Sequence, residues 1–312
     1  MQRVRNERGA VGVVVAILMV PLLGFAAIAV DAAALWTQRL QLQAGADAGA
    51  LAIAHDCALG STLCSIPLST AQQLANGNVN LSAATATVNA LSSSQVTVSN
   101  SGVRDYWFAP ALGYDSSTII AQATATWGAP TGGTAVLPLT FSYCEFLAQT
   151  GGLLPSLITQ RTVYFTKSSG VLGCTSPSNN VVPGGFGWLI VNSGTCNTTS
   201  AISGIVASDP GNSVPTSCST SSLAAMQNKT VLLPIFDQAY SSGSNASYRV
   251  YGYAAFRITG YHFGGQYSWN APCGGNDRCI LGYFTRFVDD AETFEFGATA
   301  PNLGASLVKL TN

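Results

Sequence analysis

The 312-residue chain carries 13 Lys and Arg against 14 Asp and Glu, and only 9% of its residues are charged, against roughly a quarter in ordinary soluble proteins. A net charge of -1 with no basic stripe beyond Arg8 lacks the electrostatic footprint of a nucleic-acid binder, so no nucleic-acid partner is expected. With 32 Gly and 13 Pro, the polar surface must come from Ser, Thr, Asn and Gln, and much of it should be turns.

A basic stub, residues 1–9 with Arg3, Arg5 and Arg8, precedes an uncharged run over 10–30, Ala10 to Val30. At about 1.5 Å per helical residue this run reaches about 30 Å, the thickness of a bilayer's hydrocarbon core. Basic residues flank it only on the N-terminal side and Asp31 comes first on the other. The positive-inside rule then puts the stub in the cytoplasm and the rest outside, as a single-pass protein of the cell membrane. A secretory signal peptide is the alternative, with Ala27-Ile28-Ala29 as its cleavage pattern; the run is longer than the roughly 7–15 residues of a signal core.

From Ala32 to Ala54 there is no Pro, and Ala, Leu and Gln dominate, which predicts that the helix continues out of the membrane. Leu35, Leu42, Ala46, Gly49 and Ile53 share one face that becomes progressively smaller. Small faces let helices approach closely, so this is the candidate assembly face. Packing on the protein's own globular part is the commoner use of such a face.

Beyond the helix, the segment from Cys57 to Cys64 reads as a short loop, and Ser69 to Ala75 as a brief helix capped by Ser69. Small polar residues predict a loop from Gly77 to Ser94; Gln95–Ser99 and Ser117–Trp127 read as strands able to pair. Between them RDYWFAPALG suits a turn of helix plugging the sheet, which makes 31–128 a helix extension plus a small α+β unit. GAPTGG, Gly128 to Gly133, reads as a linker. After it, 129–312 is predicted to be a β-rich, sandwich-like domain, with strand signals at Val136–Ser142, Thr162–Thr166, Val231–Phe236, Tyr248–Phe263 and Ile280–Val288. The fold class is therefore α+β. The aromatics of Tyr248–Phe263 are expected in the core.

All eight cysteines follow the apolar run, and an even number outside a membrane favours disulfides. Spacing does not fix connectivity. Sequential pairing is the expectation: Cys57 with Cys64, Cys144 with Cys174, Cys196 with Cys218, Cys273 with Cys279. No C-x-x-C pair occurs, and only His55 and His262 could complete a zinc site. The G-x-S-x-G elbow, the phosphate loop and G-x-G-x-x-G are all missing from the sequence, so neither an enzyme nor a small-molecule substrate is expected. The acidic cluster Asp289, Asp290, Glu292 and Glu295, with Asp277 nearby, could hold Ca²⁺ but does not fit a D-x-[DN]-x-[DN]-G loop; a solvated loop and no cofactor are expected. Phe186 and Trp188 stand among glycines in PGGFGWL, an arrangement suited to a close-packed loop or to a contact surface.

The stretch ERGAVGVVVAILMVPLLGFAAIAVDAAALWTQRLQLQAGADAGALAIA, Glu7 to Ala54, closely resembles the N-terminal signature of the TadE/TadG-like proteins of the Tad (Flp) pilus machinery. In that family an E-R-G-A start precedes the membrane helix, an Asp closes it, and a Q-L-Q-x-A-A-D-A-A-A-L-A pattern follows. VVPGGFGWL, SDPGNSVPTSC and the run from VLLPIFD to YAAFRITGYHF look more loosely like the body of actinobacterial-type members. Two features depart from the family. Pilin-like members are cut after a Gly and carry Glu at the fifth mature position, whereas counting from Gly9 puts Val14 there; and Asp115-Ser116-Ser117 lacks the D-x-S-x-S spacing of a von Willebrand A metal site. The resemblance implies a membrane-held assembly factor or minor pilin that pairs through its N-terminal helix with other pilus components. An anchored adhesin using Phe186, Trp188 and the strand aromatics is the alternative, and an anchored envelope enzyme a third.

Overall fold

The computed structural model describes residues 8–80, 83–156, 158–241, 246–290 and 292–311. Arg3 and Arg5 of the basic stub lie outside the described residues. The chain forms two compact units, the first made of residues through Ile53, Thr62–Ala125 and the chain from Leu310 on, the second of Ala54–Ser61 and Thr126–Lys309.

In the first unit, helix α1 (Arg8–Leu59), whose residues through Ile53 belong here, runs unbroken past Asp31. Its 52 residues extend about 78 Å at 1.5 Å per residue. Pro21 lies inside it and removes one backbone bond without ending it. Helix α2 (Pro67–Asn78) starts two residues earlier than predicted: Pro occupies the first turn, where a missing N–H costs nothing, and no side chain caps it. Strand β1 (Thr85–Leu91) occupies part of the expected loop, because pairing with β2 (Gln95–Asp105) overrides the weak local propensity of its small polar residues. β2 also neighbours β3 (Ser116–Ala135), and Thr97 and Thr124 share a hydroxyl hydrogen bond at 3.0 Å. Alternation along β2 turns Val96, Val98, Asn100 and Gly102 inward. Leu42, Ala46, Ala50 and Ile53 of α1 and Ala71 and Ala75 of α2 are buried in the same unit, a core built largely of Ala, and Leu42 lies beside Gly102 while Ala71 and Val98 meet at Gly49.

The second unit contains β4 (Leu139–Ser142), α3 (Tyr143–Thr150), β5 (Arg161–Tyr164), β6 (Cys174–Thr175), β7 (Val181–Val182), β8 (Phe186–Trp188), β9 (Thr198–Ala201), β10 (Ile205–Ala207), α4 (Thr220–Ala224), β11 (Thr230–Tyr240), β12 (Ser247–His262), β13 (Ser268–Trp269), β14 (Cys279–Thr285), β15 (Phe287–Asp290), β16 (Phe294–Gly297) and β17 (Ala305–Leu310). The main sheet runs β5-β14-β12-β11-β4-β8. β12 is a single 16-residue strand, and its partner β11 is uncharged from Thr230 to Phe236 because both faces of the sheet are covered. Leu233, Ala254 and Phe256 point into a core with Phe141, Phe146, Trp188 and Phe284. Their neighbours Leu232 and Ala255 pack on Ala305 and Leu307 of β17, with Phe287, Phe294 and Phe296. The α+β class and the β-rich body follow from this layering.

Gly128–Gly133 is not a linker. These residues lie inside β3, with Gly132 and Gly133 opposite Ala201 and Ser200 of β9, and Gly133 opposite Phe294 of β16. A Cβ at Gly128 would come within 3.1 Å of the Phe296 ring, and one at Gly133 would collide with Phe294. The glycines mark close aromatic approach within a strand, a meaning composition does not separate from flexibility. A bulge in β11 leaves Asp237 out of the ladder and aims it at Arg249, which grips it with two hydrogen bonds, at 2.9 and 2.5 Å. Of the acidic cluster, expected as a solvated loop, Asp289 and Asp290 lie in β15 and Glu295 in β16, while the exposed Glu292 lies in the bend between those strands and Asp277 outside any strand.

Candidate functional site

Helix α1 carries two different surfaces. From Val11 to Val30 the residues are exposed apart from the half-buried Ala27, and mean hydropathy reaches 2.8. This segment is long and apolar enough to cross a membrane. Above it the sequence-predicted assembly face does not stay open: Leu42, Ala46, Gly49 and Ile53 are buried within the first unit, and Leu35 is half-buried. A Cβ on Gly49 would lie 3.5 Å from the Ala71 Cα and 3.6 Å from Val98 Cγ1. The chain's own α2 and β2 therefore occupy the small face, as an amphipathic helix most often does.

The same stripe carries polar groups whose work the sequence reading missed. Asp31, 6% exposed, accepts hydrogen bonds from the backbone N–H groups of Trp107 at 2.8 Å, Phe108 at 3.1 Å and Ala109 at 2.9 Å. Two turns on, Gln38 donates from Nε2 to the Val103 carbonyl at 3.3 Å, and Asn100 donates to the Leu42 carbonyl at 3.2 Å. Burial opposes charge on Asp31, but the N–H groups of Trp107, Ala109 and Phe108, with the Arg104 guanidinium, outweigh it and hold the carboxyl below the usual carboxylate range. Arg104 itself lies over the Trp107 ring, 5.2 Å from its centroid. The expected plug RDYWFAPALG is thus a clamped surface loop. It contains a 3₁₀ turn at Ala109–Leu112, and Trp107, Phe108 and Tyr114 are exposed because Asp31 binds the loop's backbone and leaves its rings outside. The one legible signal was an acid at the boundary of the apolar run, on the helix face that Gln38 and Leu42 continue.

The second unit places the remaining residues. Phe186 and Trp188 are 0% and 1% exposed; strand β8 pairs with β4 and turns both rings into the aromatic core against Phe263. They are not a contact surface. Their neighbour Gly185, at φ +92°, donates its N–H to Glu145 at 2.8 Å, and Ser169 Oγ donates to the same oxygen at 3.0 Å. Burial pushes the Glu145 carboxyl up, only partly offset by Gly185, Ser169 and Arg161. Disulfides join Cys144 to Cys174, Cys196 to Cys218 and Cys273 to Cys279, and Cys57 and Cys64 are also disulfide-bonded. His262 contacts Ser268 Oγ at 3.2 Å in the β12–β13 pair, while His55 is exposed near the end of α1. Among the described residues no three His, Cys, Asp or Glu side chains come together as a metal site.

Residues 9–55 match the family model described as Flp pilus-assembly TadE/G-like. No curated protein and no solved structure matches the chain. The matched segment runs from the last residue of the stub, through the apolar run and Asp31, to the buried stripe ending at Ile53.

Proposed function

We propose, from the premise that the N-terminal segment 9–55 is TadE/TadG-like, that this chain is a membrane-held assembly component of a Tad (Flp)-type pilus. Its single span keeps the N-terminus cytoplasmic and both disulfide-containing units outside, in keeping with the charge flanks and the oxidised cysteines. The observation that carries the reading is the division of α1 at Asp31: apolar and uncovered below, packed on the chain's own unit above. Here Leu42, Ala46, Gly49 and Ile53 are already taken, so contacts with other pilus components run through the sides of the membrane segment. With Phe186 and Trp188 in the core, the adhesin alternative loses the residues that recommended it.

The test is N-terminal sequencing of the mature protein from sheared surface material and from washed membranes. An uncut chain confined to membranes is expected. A chain beginning at Ala10 in the sheared fraction would make it a minor pilin despite Val14, and a soluble chain beginning near Val30 would sink the anchored reading.

A further inference from the structure

The loop from Tyr106 to Asp115 has three properties that an ordinary surface loop does not combine. Its aromatics point outward: Trp107, Phe108 and Tyr114 are 65%, 49% and 68% exposed. Seven of its backbone N–H groups are bonded within the molecule, with Tyr106 N–H on the Asp115 carbonyl, Ala111 on Phe108, Gly113 on Pro110 and Tyr114 on Ala109, while Asp31 takes the next three N–H groups after Tyr106. Residue 110 is Pro and has no N–H to satisfy. It also lies beside the outer end of the apolar helix. The two enclose a groove of about 800 Å³ whose helix wall includes Gly24, Ile28 and Leu35.

Non-helical backbone is tolerated at membrane depth only when its polar groups are bonded internally. Trp and Tyr concentrate where hydrocarbon meets headgroups. The level is right as well, because the 21-residue rise from Ala10 to Asp31 covers about 30 Å, one hydrocarbon core. Trp36, 64% exposed, and the exposed Arg39 continue the interfacial composition along the helix. We propose that this loop is an interfacial anchor whose Trp107, Phe108 and Tyr114 enter the headgroup–acyl boundary of the bilayer, lipid filling the groove, with Asp31 as the residue that fixes the loop against the span. The proposal rests on the reading of residues 10–30 as a membrane span and gives the acid at its end a structural purpose: it holds the tilt and depth of the span relative to the first unit.

The test uses the full chain in vesicles of phosphatidylcholine and phosphatidylglycerol carrying bromine either high on the acyl chains or near their ends. The Trp107 signal is the difference in fluorescence between the unmodified chain and Trp107→Phe. Lipid brominated high on the chain should quench about half of that signal, chain-end bromine less, and aqueous iodide little, as for an interfacial indole. Asp31→Asn keeps the side chain's shape but removes its charge, and should lower bromine quenching about twofold while raising iodide quenching. A Trp107 signal open to iodide and untouched by bromine would overturn the proposal. So would a signal shielded from both, which would mean that a second protein helix, not lipid, fills the groove. Flotation with the vesicles separates the two levels: a chain that does not float sinks the span reading itself, whereas a floating chain with unquenched Trp107 sinks only the anchor.

Discussion

Two glycines one helical turn apart on α1 should respond in opposite directions to the same substitution. Replacing Gly by Ala inside a helix stabilises it by about 1 kcal/mol in the absence of other contacts. At Gly49 the new methyl would meet Ala71 Cα at 3.5 Å and Val98 Cγ1 at 3.6 Å, ordinary contacts, so Gly49→Ala should gain roughly 0.5–1 kcal/mol. At Gly45 it would lie 2.9 Å from Asn100 Nδ2 and 3.2 Å from the Ala75 Cα. Asn100 is 0% exposed and donates to the Leu42 carbonyl, so displacing it strands a buried donor at about 1–3 kcal/mol. Crowding the Ala75 backbone adds overpacking of similar size. Gly45→Ala should therefore lose about 1–5 kcal/mol net of the helix gain. For a unit of this size each kcal/mol moves Tm by roughly 4–8 °C, so the two variants should melt at least about 6 °C apart. The assay is thermal unfolding of the full chain in detergent micelles, followed by near-ultraviolet circular dichroism, with no other pilus component present. If both alanines raise Tm alike, the face is open in the isolated protein and the self-packing argument fails.

Other outcomes follow from the second unit. Glu145 has a folded carboxyl pKa raised above its unfolded value, so the native state binds its proton more readily; the stability this provides is complete at low pH and is lost as pH rises from about 4.3 through the folded value. Urea midpoints should fall over that window in the unmodified chain and stay flatter in Glu145→Gln; parallel profiles would refute the assignment. Arg249→Met leaves the Asp237 carboxylate buried and unpaired. Such losses run to about 3–5 kcal/mol, and the 29% exposure of Arg249 puts the expectation near 3, with recovery when Asp237→Leu is added. Replacing both Cys196 and Cys218 by Ser opens a link across a sequence separation of 22, and should cost about 3 kcal/mol in chemical denaturation by the loop-entropy account.

Part of this architecture is written in one-dimensional pattern. Twenty-two uncharged residues between Arg8 and Asp31 specify a membrane-length helix, and the Pro-free Ala and Leu that follow carry it onward. The alternating and β-branched runs of β2, β11, β12 and β14 announce strands because a covered sheet selects such residues. The ends of those strands, the small residues of β1 and the glycines of β3 were not legible, since their conformation comes from partners far along the chain. Which surfaces remain free depends on packing in the folded chain. A stripe such as Leu42, Ala46, Gly49 and Ile53 is equally suited to a neighbour's helix and to the chain's own α2, and it is packing on Ala71 and Val98 that uses it up. Phe186 and Trp188 read as a possible surface until β8 joins β4 and turns them inward. Asp31 shows the same limit from the other side: as a letter it closes the apolar run, and as a carboxylate in space it gathers the N–H groups of residues more than seventy positions away, because hydrogen-bond partners are chosen by proximity in the fold and not along the chain.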